Sequence, residues 1–334
     1  MRPAEVIPQP AAFAVDRVLG WAAGCGVLVG IALLPQLLPG YLNLGIALLV
    51  LVGWATAWDV LGGWTGQVSL GHAAFVGLGA YTLGLGANTY RMPPWVSAPV
   101  AVLLAVGLAW AWGRVTFRLR GPYFTLSTIA VAEILRLGAI NERWLTGGGE
   151  GIFVRELARP LGLDLFDRHV QYYWALLYAA CAVALVAYLA PRRFGYQMRA
   201  VREDEEAAQA AGVDPVAVKL RAFMLSAGLV AFGGVLYGAY LSALVPHALF
   251  DLRLSVQIAL TAIIGGRGTV WGPAVGAVLI VLAAELFRNL FASANLLIYG
   301  LLIVLVVLFA PRGIVGQWER WRVRRRYARS VAGR

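Results

Sequence analysis

Charge is what this chain has least of. Asp, Glu, Lys and Arg together make up 13% of 334 residues, against about a quarter in ordinary globular domains. That is too little to cover a hydrated surface, so the two or three soluble domains the length would allow are excluded. Histidine is scarce as well, with only His72, His169 and His247, scattered along the chain. The two cysteines, Cys25 and Cys181, sit in apolar runs with no CxxC and no Cys/His cluster. Neither a disulfide framework nor a zinc site is indicated, and both read as packing residues. The chain also lacks GxxxxGK[ST], HExxH and GxSxG, so no ATP site, zinc-protease helix or nucleophile elbow is expected, nor any metal, cofactor or enzymatic reaction. What is abundant is apolar: 60% hydrophobic residues and 39 glycines. The chain uses lipid as its solvent.

A helix needs about 20 largely apolar residues to cross the hydrocarbon. Such runs predict an all-α polytopic membrane protein of ten spans, near 18 to 38, 42 to 61, 69 to 88, 95 to 113, 122 to 140, 171 to 190, 215 to 245, 252 to 265, 270 to 288 and 293 to 310. The eighth is short and only Gly265 to Thr269 separates it from the ninth, so a re-entrant hairpin over 252 to 288 is the alternative there. Residues 1–17 form a cytoplasmic N-terminal segment, 18–310 the transmembrane domain and 311–334 a basic cytoplasmic tail.

The net charge of +11 resembles a nucleic-acid footprint only in total. Eight arginines follow Ala310 against one acid, Glu319. With the N-terminus inside, 20 of the 28 basic residues fall on the inner side. Positive segments resist translocation, so both termini are predicted to be cytoplasmic. Trp318, Trp321 and Tyr327 among the tail arginines suit an anionic lipid surface rather than nucleic acid.

Inside the third span the exceptions are polar. Gln67, Ser69 and His72 follow Gly62, Gly63 and Gly66. The small residues suit close helix packing. The polar ones suit an interrupted helix whose free backbone groups line a path. A lone histidine here is more often a hydrogen-bonded helix residue than a proton relay. Glu133 with Arg136, and Glu285 with Arg288, are spaced to pair on one helix face, with a structural role near the outer interface. The string Ser69-x-Gly71-x-x-Ala74-Phe75-x-Gly77 returns as Ser226-x-Gly228-x-x-Ala231-Phe232-x-Gly234, which suggests an internal repeat in parallel orientation, with Ala/Gly bias as the competing explanation.

Between spans six and seven, residues 199–214 are alanine-rich and charged. Gly212 suits a helix stop, and Asp214 with Pro215 suits a fresh start. A short cytoplasmic helix is expected. Its string Glu206-Ala207-Ala208-x-x-x-Gly212 resembles the EAA-xxx-G loop by which ABC-importer permeases dock on their ATPases.

Other stretches are similar to the branched-chain amino-acid (Liv-type) permeases. They are Gly66-Gln67-Val68-Ser69-Leu70-Gly71-His72-Ala73-Ala74-Phe75, Gly121 to Leu126, Ala132 to Arg136, Thr146-Gly147-Gly148 with Gly151, Lys219 to Ala227, and Gly265 to Pro273. The first span and the long 141 to 170 loop resemble the M-type rather than the H-type subunit. Asp59, where such permeases often carry an uncharged amide, and Ala284, where proline is common, depart from the pattern and put the solute in question.

The resemblance implies a permease in the bacterial inner membrane. It would be paired with an H-type permease subunit, powered by two ABC ATPase subunits that bind the ATP, and fed by a solute-binding protein. It implies ATPase coupling at Glu206, Ala207, Ala208 and Gly212, and a translocation path near Gln67, Ser69, His72 and Asp59. Urea or short amides are alternative solutes. An ion-coupled carrier using Asp59, Glu133 or Glu285 is the alternative mechanism.

Overall fold

The computed structural model describes residues 30–117, 123–154, 166–290 and 313–315. Two compact units divide the chain, Met1–Asn43 and Leu44–Arg334. In the first, residues 30–37 are helical and Pro39–Tyr41 forms one 3-10 turn. The rest of the first predicted span, the tenth span, the N-terminal segment and nearly all of the tail lie outside the described residues.

The larger unit is a helical bundle. Its long helices are α1 (Leu42–Gly62), α2 (His72–Asn88), α3 (Pro94–Thr116), α4 (Tyr123–Asn141) and α5 (Arg168–Leu189). Two shorter helices follow, α6 (Arg193–Glu203) and α7 (Glu205–Ala210), then α8 (Pro215–Leu241), α9 (Leu252–Gly266) and α10 (Gly272–Leu290). Six helical runs among the described residues are long and apolar enough to cross a membrane, and the chain is a multi-pass membrane protein. All eight predicted spans from the second to the ninth have a helix. Cys181, expected to pack, is instead exposed on α5.

α2 and α8 form the centre. Gly79 and Gly234 make their close approach possible: a Cβ on Gly79 would meet the Ala231 carbonyl oxygen, and one on Gly234 the Val76 carbonyl oxygen. The two copies of the small-residue string therefore lie side by side and run parallel, with Val76 against Gly234 and Ala80 against Gly238. Trp54 and Tyr178 tie α1 and α5 to the same helix by donating to the carbonyls of Val230 (3.1 Å) and Leu229 (3.0 Å). Phe223 on α8 touches the rings of Phe75, Trp112, Phe117 and Phe124, filling the core between α2, α3 and α4. The outer helices leave Leu103, Val115, Leu126, Ile134 and Leu177 exposed, as lipid-facing surfaces should.

Three boundaries differ from expectation. The third span starts at His72 rather than at residue 69, because residues 63–71 are irregular. The seventh ends at Leu241, where Ser242 turns left-handed (φ 61°) and the chain enters a two-residue strand, β2 (Ala243–Leu244). This strand pairs antiparallel with β1 (Ile152–Phe153) in the loop after α4. The cytoplasmic segment forms two helices rather than one, because Asp204 is extended (φ −159°, ψ 114°) and its side chain caps a new start at α7.

At the eighth and ninth spans, the helical turn Pro246–Leu249 leads into α9, so that Pro246–Gly266 is a run of 21 residues. α10 adds 19 residues. At the turn between them a Cβ on Gly265 would meet the Gly272 carbonyl, so the helices leave it nearly touching. Pro246–Gly266 is long and apolar enough to cross a membrane, whereas the apolar run of α10, Gly272–Leu286, is shorter.

Candidate functional site

The irregular stretch 63–71 has backbone groups that α1 and α2 leave free, and in a bundle without water each needs a partner. Side chains from other helices supply them. Thr125 Oγ1 donates to the Val68 carbonyl (2.7 Å), and the Leu70 N–H donates to Thr128 Oγ1 (3.0 Å). Trp58 Nε1 donates to the Ser69 carbonyl (2.7 Å), and the first-turn N–H of Ala73 donates to Ser255 Oγ (2.8 Å). Helices α1, α4 and α9 therefore hold one interrupted passage in shape.

His72 sits at the end of this passage, fully buried. Its Nδ1 lies 3.0 Å from Ser69 Oγ and its Nε2 lies 2.8 Å from Ser226 Oγ. A neutral imidazole satisfies both, one nitrogen donating and the other accepting. Trp58, Phe75 and Phe223 surround the ring at centroid distances of 6.5, 5.8 and 6.4 Å. Ser69 and Ser226 are the matching first residues of the two similar strings, so the histidine joins them across α2 and α8.

The remaining two path candidates lie elsewhere. Gln67 points away from His72: its Nε2 donates to Glu205 Oε1 at 3.3 Å. Asp59, buried at the end of α1, accepts the Gly268 N–H with both oxygens at 2.9 Å. It thereby joins α1 to the turn between α9 and α10, next to the Arg202 contact with the Gly63 carbonyl (2.7 Å).

The expected coupling residues gather on α7 and the turn after it. Asp204 Oδ1 accepts the N–H groups of Glu206 (2.9 Å) and Ala207 (3.0 Å), capping the helix. Glu206 and Ala207 are exposed while Ala208 is buried against the bundle. Gly212 then takes a left-handed conformation (φ 83°) with open space around it, and Asp214 caps α8 on Val216 and Ala217. The outcome is a small outward-facing ridge fixed at both ends.

At the opposite end of the bundle Arg136 grips Glu133 with two nitrogens (2.7 and 2.5 Å) and reaches His247 Nδ1 at 3.2 Å. This is the same-face pairing expected from the spacing. Thr146 shares its single O–H between the Ala139 and Glu142 carbonyls and accepts the Gly148 N–H (3.4 Å), which anchors the glycine-rich loop to the end of α4. Among the described residues no three His, Cys, Asp or Glu side chains gather as a metal site would require.

Sequence reasoning did not single out Glu205, Arg202, Thr125, Thr128 or Ser255 for a role. Glu205 had one signal, since it directly precedes the Glu206-Ala207-Ala208 string. Thr125 lies within the family-like stretch Gly121 to Leu126, while Thr128 and Ser255 had no signal, because a Ser or Thr in a membrane helix can bond its own backbone.

A family described as the branched-chain amino acid transport system / permease component matches residues 38–308. The high-affinity branched-chain amino acid transport system permease protein LivM of Escherichia coli K12 is 30% identical over 82% of this chain and 67% of its own length. A probable LivM of Methanocaldococcus jannaschii is 23% identical over 65% of this chain and 67% of its own. The LivH permease of Salmonella typhimurium is 22% identical over 81% and 91%, respectively. No solved structure matches the chain.

Proposed function

This chain belongs to the branched-chain amino acid transport permease family, and on that premise we propose that it is one permease subunit of an importer moving branched-chain amino acids. It works beside an H-type permease, in the bacterial inner membrane. Two separate ATPases supply the energy and a soluble binding protein delivers the solute. The chain is a conduit rather than an enzyme.

The observation that carries this reading is the α7 ridge. A six-residue helix is too short to be stable by itself. Here it is capped, backed by buried Ala208 and presented outward with Glu206 and Ala207 free to meet a partner. A docking element for a motor has to be built this way, because force applied to a frayed loop is lost. Two of the three acids an ion-coupled carrier could use are less suited to that role: Asp59 is occupied by Gly268 and Glu133 by Arg136.

Uptake of labelled leucine and of urea by the reconstituted complex tests the substrate. Saturable, ATP-dependent leucine uptake is expected, and urea uptake without leucine uptake would redirect the reading. Gly212→Trp tests the docking. A bulky residue at φ 83° is strained and projects towards the partner. Uptake per ATP should fall about tenfold, by loss of roughly 1.4 kcal/mol of coupling, whereas fully coupled uptake would count against α7 as the docking site.

A further inference from the structure

Glu205 is the first residue of α7 and lies just outside the Glu206-Ala207-Ala208 string. Its carboxylate meets two donors from different elements. One is the Gln67 amide, at 3.3 Å, in the irregular stretch. The other is the ammonium of Lys219, in the second turn of α8, whose side chain is almost entirely buried. On the other side of the Asp204 cap, Arg202 donates to the Gly63 carbonyl at 2.7 Å. Two side chains flanking the start of α7 thus hold residues 63 and 67.

The far half of the same stretch is held by the bundle. Thr125 and Thr128 take Val68 and Leu70, and His72 joins Ser69 to Ser226. The stretch is therefore strung between the docking ridge and the centre of the bundle. Residues 63, 64, 65 and 67 still donate to the Asp59 and Leu61 carbonyls of α1, whereas residues 68–70 lack the continuous ladder that makes a helix move as a rod, so displacement of Gln67 is passed to that short segment. A transport cycle needs such an element, with one end fastened where the force arrives and the other at the central helices.

We propose that Glu205 is the positioning residue that transmits movement of the docking helix α7, through Gln67, to the interrupted passage leading to His72, with Arg202 as a second attachment at Gly63. The Lys219 ion pair keeps the carboxylate aimed, because a buried ammonium leaves few other orientations open to it. This inference rests on the ATP-driven importer reading above.

The test is a double-mutant cycle in the full reconstituted complex, reading leucine imported per ATP hydrolysed. Glu205→Ala and Gln67→Ala should each lower that ratio at least about fivefold, and the double variant should be no worse than either single one. Glu205→Gln keeps an oxygen for Gln67 but loses the ion pair with Lys219, so its ratio should lie between those of Glu205→Ala and wild type, a partial rescue that loss of folding would not show. A ratio as low as that of Glu205→Ala in the assembled complex would count against the transmission role. If Glu205→Ala does not assemble with its ATPases, Gln67→Ala made alone and in the Glu205→Gln background carries the same comparison. A wild-type ratio in assembled Gln67→Ala, or losses that multiply in the double variant, overturns the transmission role. Leucine uptake that needs no ATP in the wild-type complex overturns the importer reading itself.

Discussion

Gly79 and Gly234 are each replaceable by nothing larger, since the atom a side chain would strike is a backbone oxygen of the facing helix. Backbone cannot rotate aside as a side chain can, so the helices themselves would have to part. Gly79→Leu or Gly234→Leu should destabilise the protein by about 1–3 kcal/mol or more, the usual cost of overpacking. Gly107→Ala, in open space, should be within about 1 kcal/mol of wild type and on the stabilising side, as expected for alanine in a helix. Thermal unfolding in detergent compares the three, and equal midpoints would mean that α2 and α8 do not pack through these glycines. Close packing matters beyond stability, because it is what brings His72 within reach of Ser226.

The helix α7, proposed as the docking element, illustrates how little local structure a short helix needs when its ends are fixed. α7 has six residues, and its integrity depends on Asp204 at its start and on the Val213 N–H returning to the Ala208 carbonyl (3.0 Å) after its end. Replacing an N-cap Asp by Ala costs about 0.5–2 kcal/mol, and Asn largely substitutes for it. Asp204→Ala should therefore weaken co-purification of the ATPase subunit several-fold, by a loss of about 1 kcal/mol, while Asp204→Asn should not. Equal recovery of the ATPase with both variants would show that the cap is unimportant for docking. The irregular stretch 63–71 is the complementary element. Its first half continues from α1 through N–H groups of residues 63, 64, 65 and 67 that donate to the Asp59 and Leu61 carbonyls, and its second half is held by side chains from the surrounding helices, so its two ends are fastened to different parts of the bundle.

Among the described residues, the loops around Arg202 and Arg267 gather at one end of the bundle. Gly63, Arg202, Glu205 and Gly268 meet there. The β1 and β2 strands, the Asn88 bond to Phe153 and the Arg168 bond to Tyr240 lie at the other. If the arginine bias sets orientation, a cysteine at Gln209 should be reached by a membrane-impermeant maleimide only from the cytoplasmic side. One at Trp144, which is 90% exposed, should react in intact cells. Both variants would be made with Cys25 and Cys181 replaced by serine, and the reverse labelling pattern would invert the topology.

The sequence by itself determined the solvent, a helix for each expected span from the second to the ninth, and a short helix near residues 205–210. Each depends on properties local to a stretch of chain: the length of an apolar run, the sign of the charge in a loop, and a glycine stop followed by a fresh cap. Glu133 and Arg136 were legible for the same reason, being one helical turn apart. Only the tertiary structure decided which group each polar residue serves. Gln67 meets Glu205 138 residues away, His72 meets Ser226 154 residues away, and Asp59 meets Gly268 209 residues away. No periodicity connects such positions. Gln67 and His72 are five residues apart in the sequence, but one faces the docking ridge and the other the centre of the bundle. The chain between them is irregular, and its direction is set by what the surrounding helices offer its backbone.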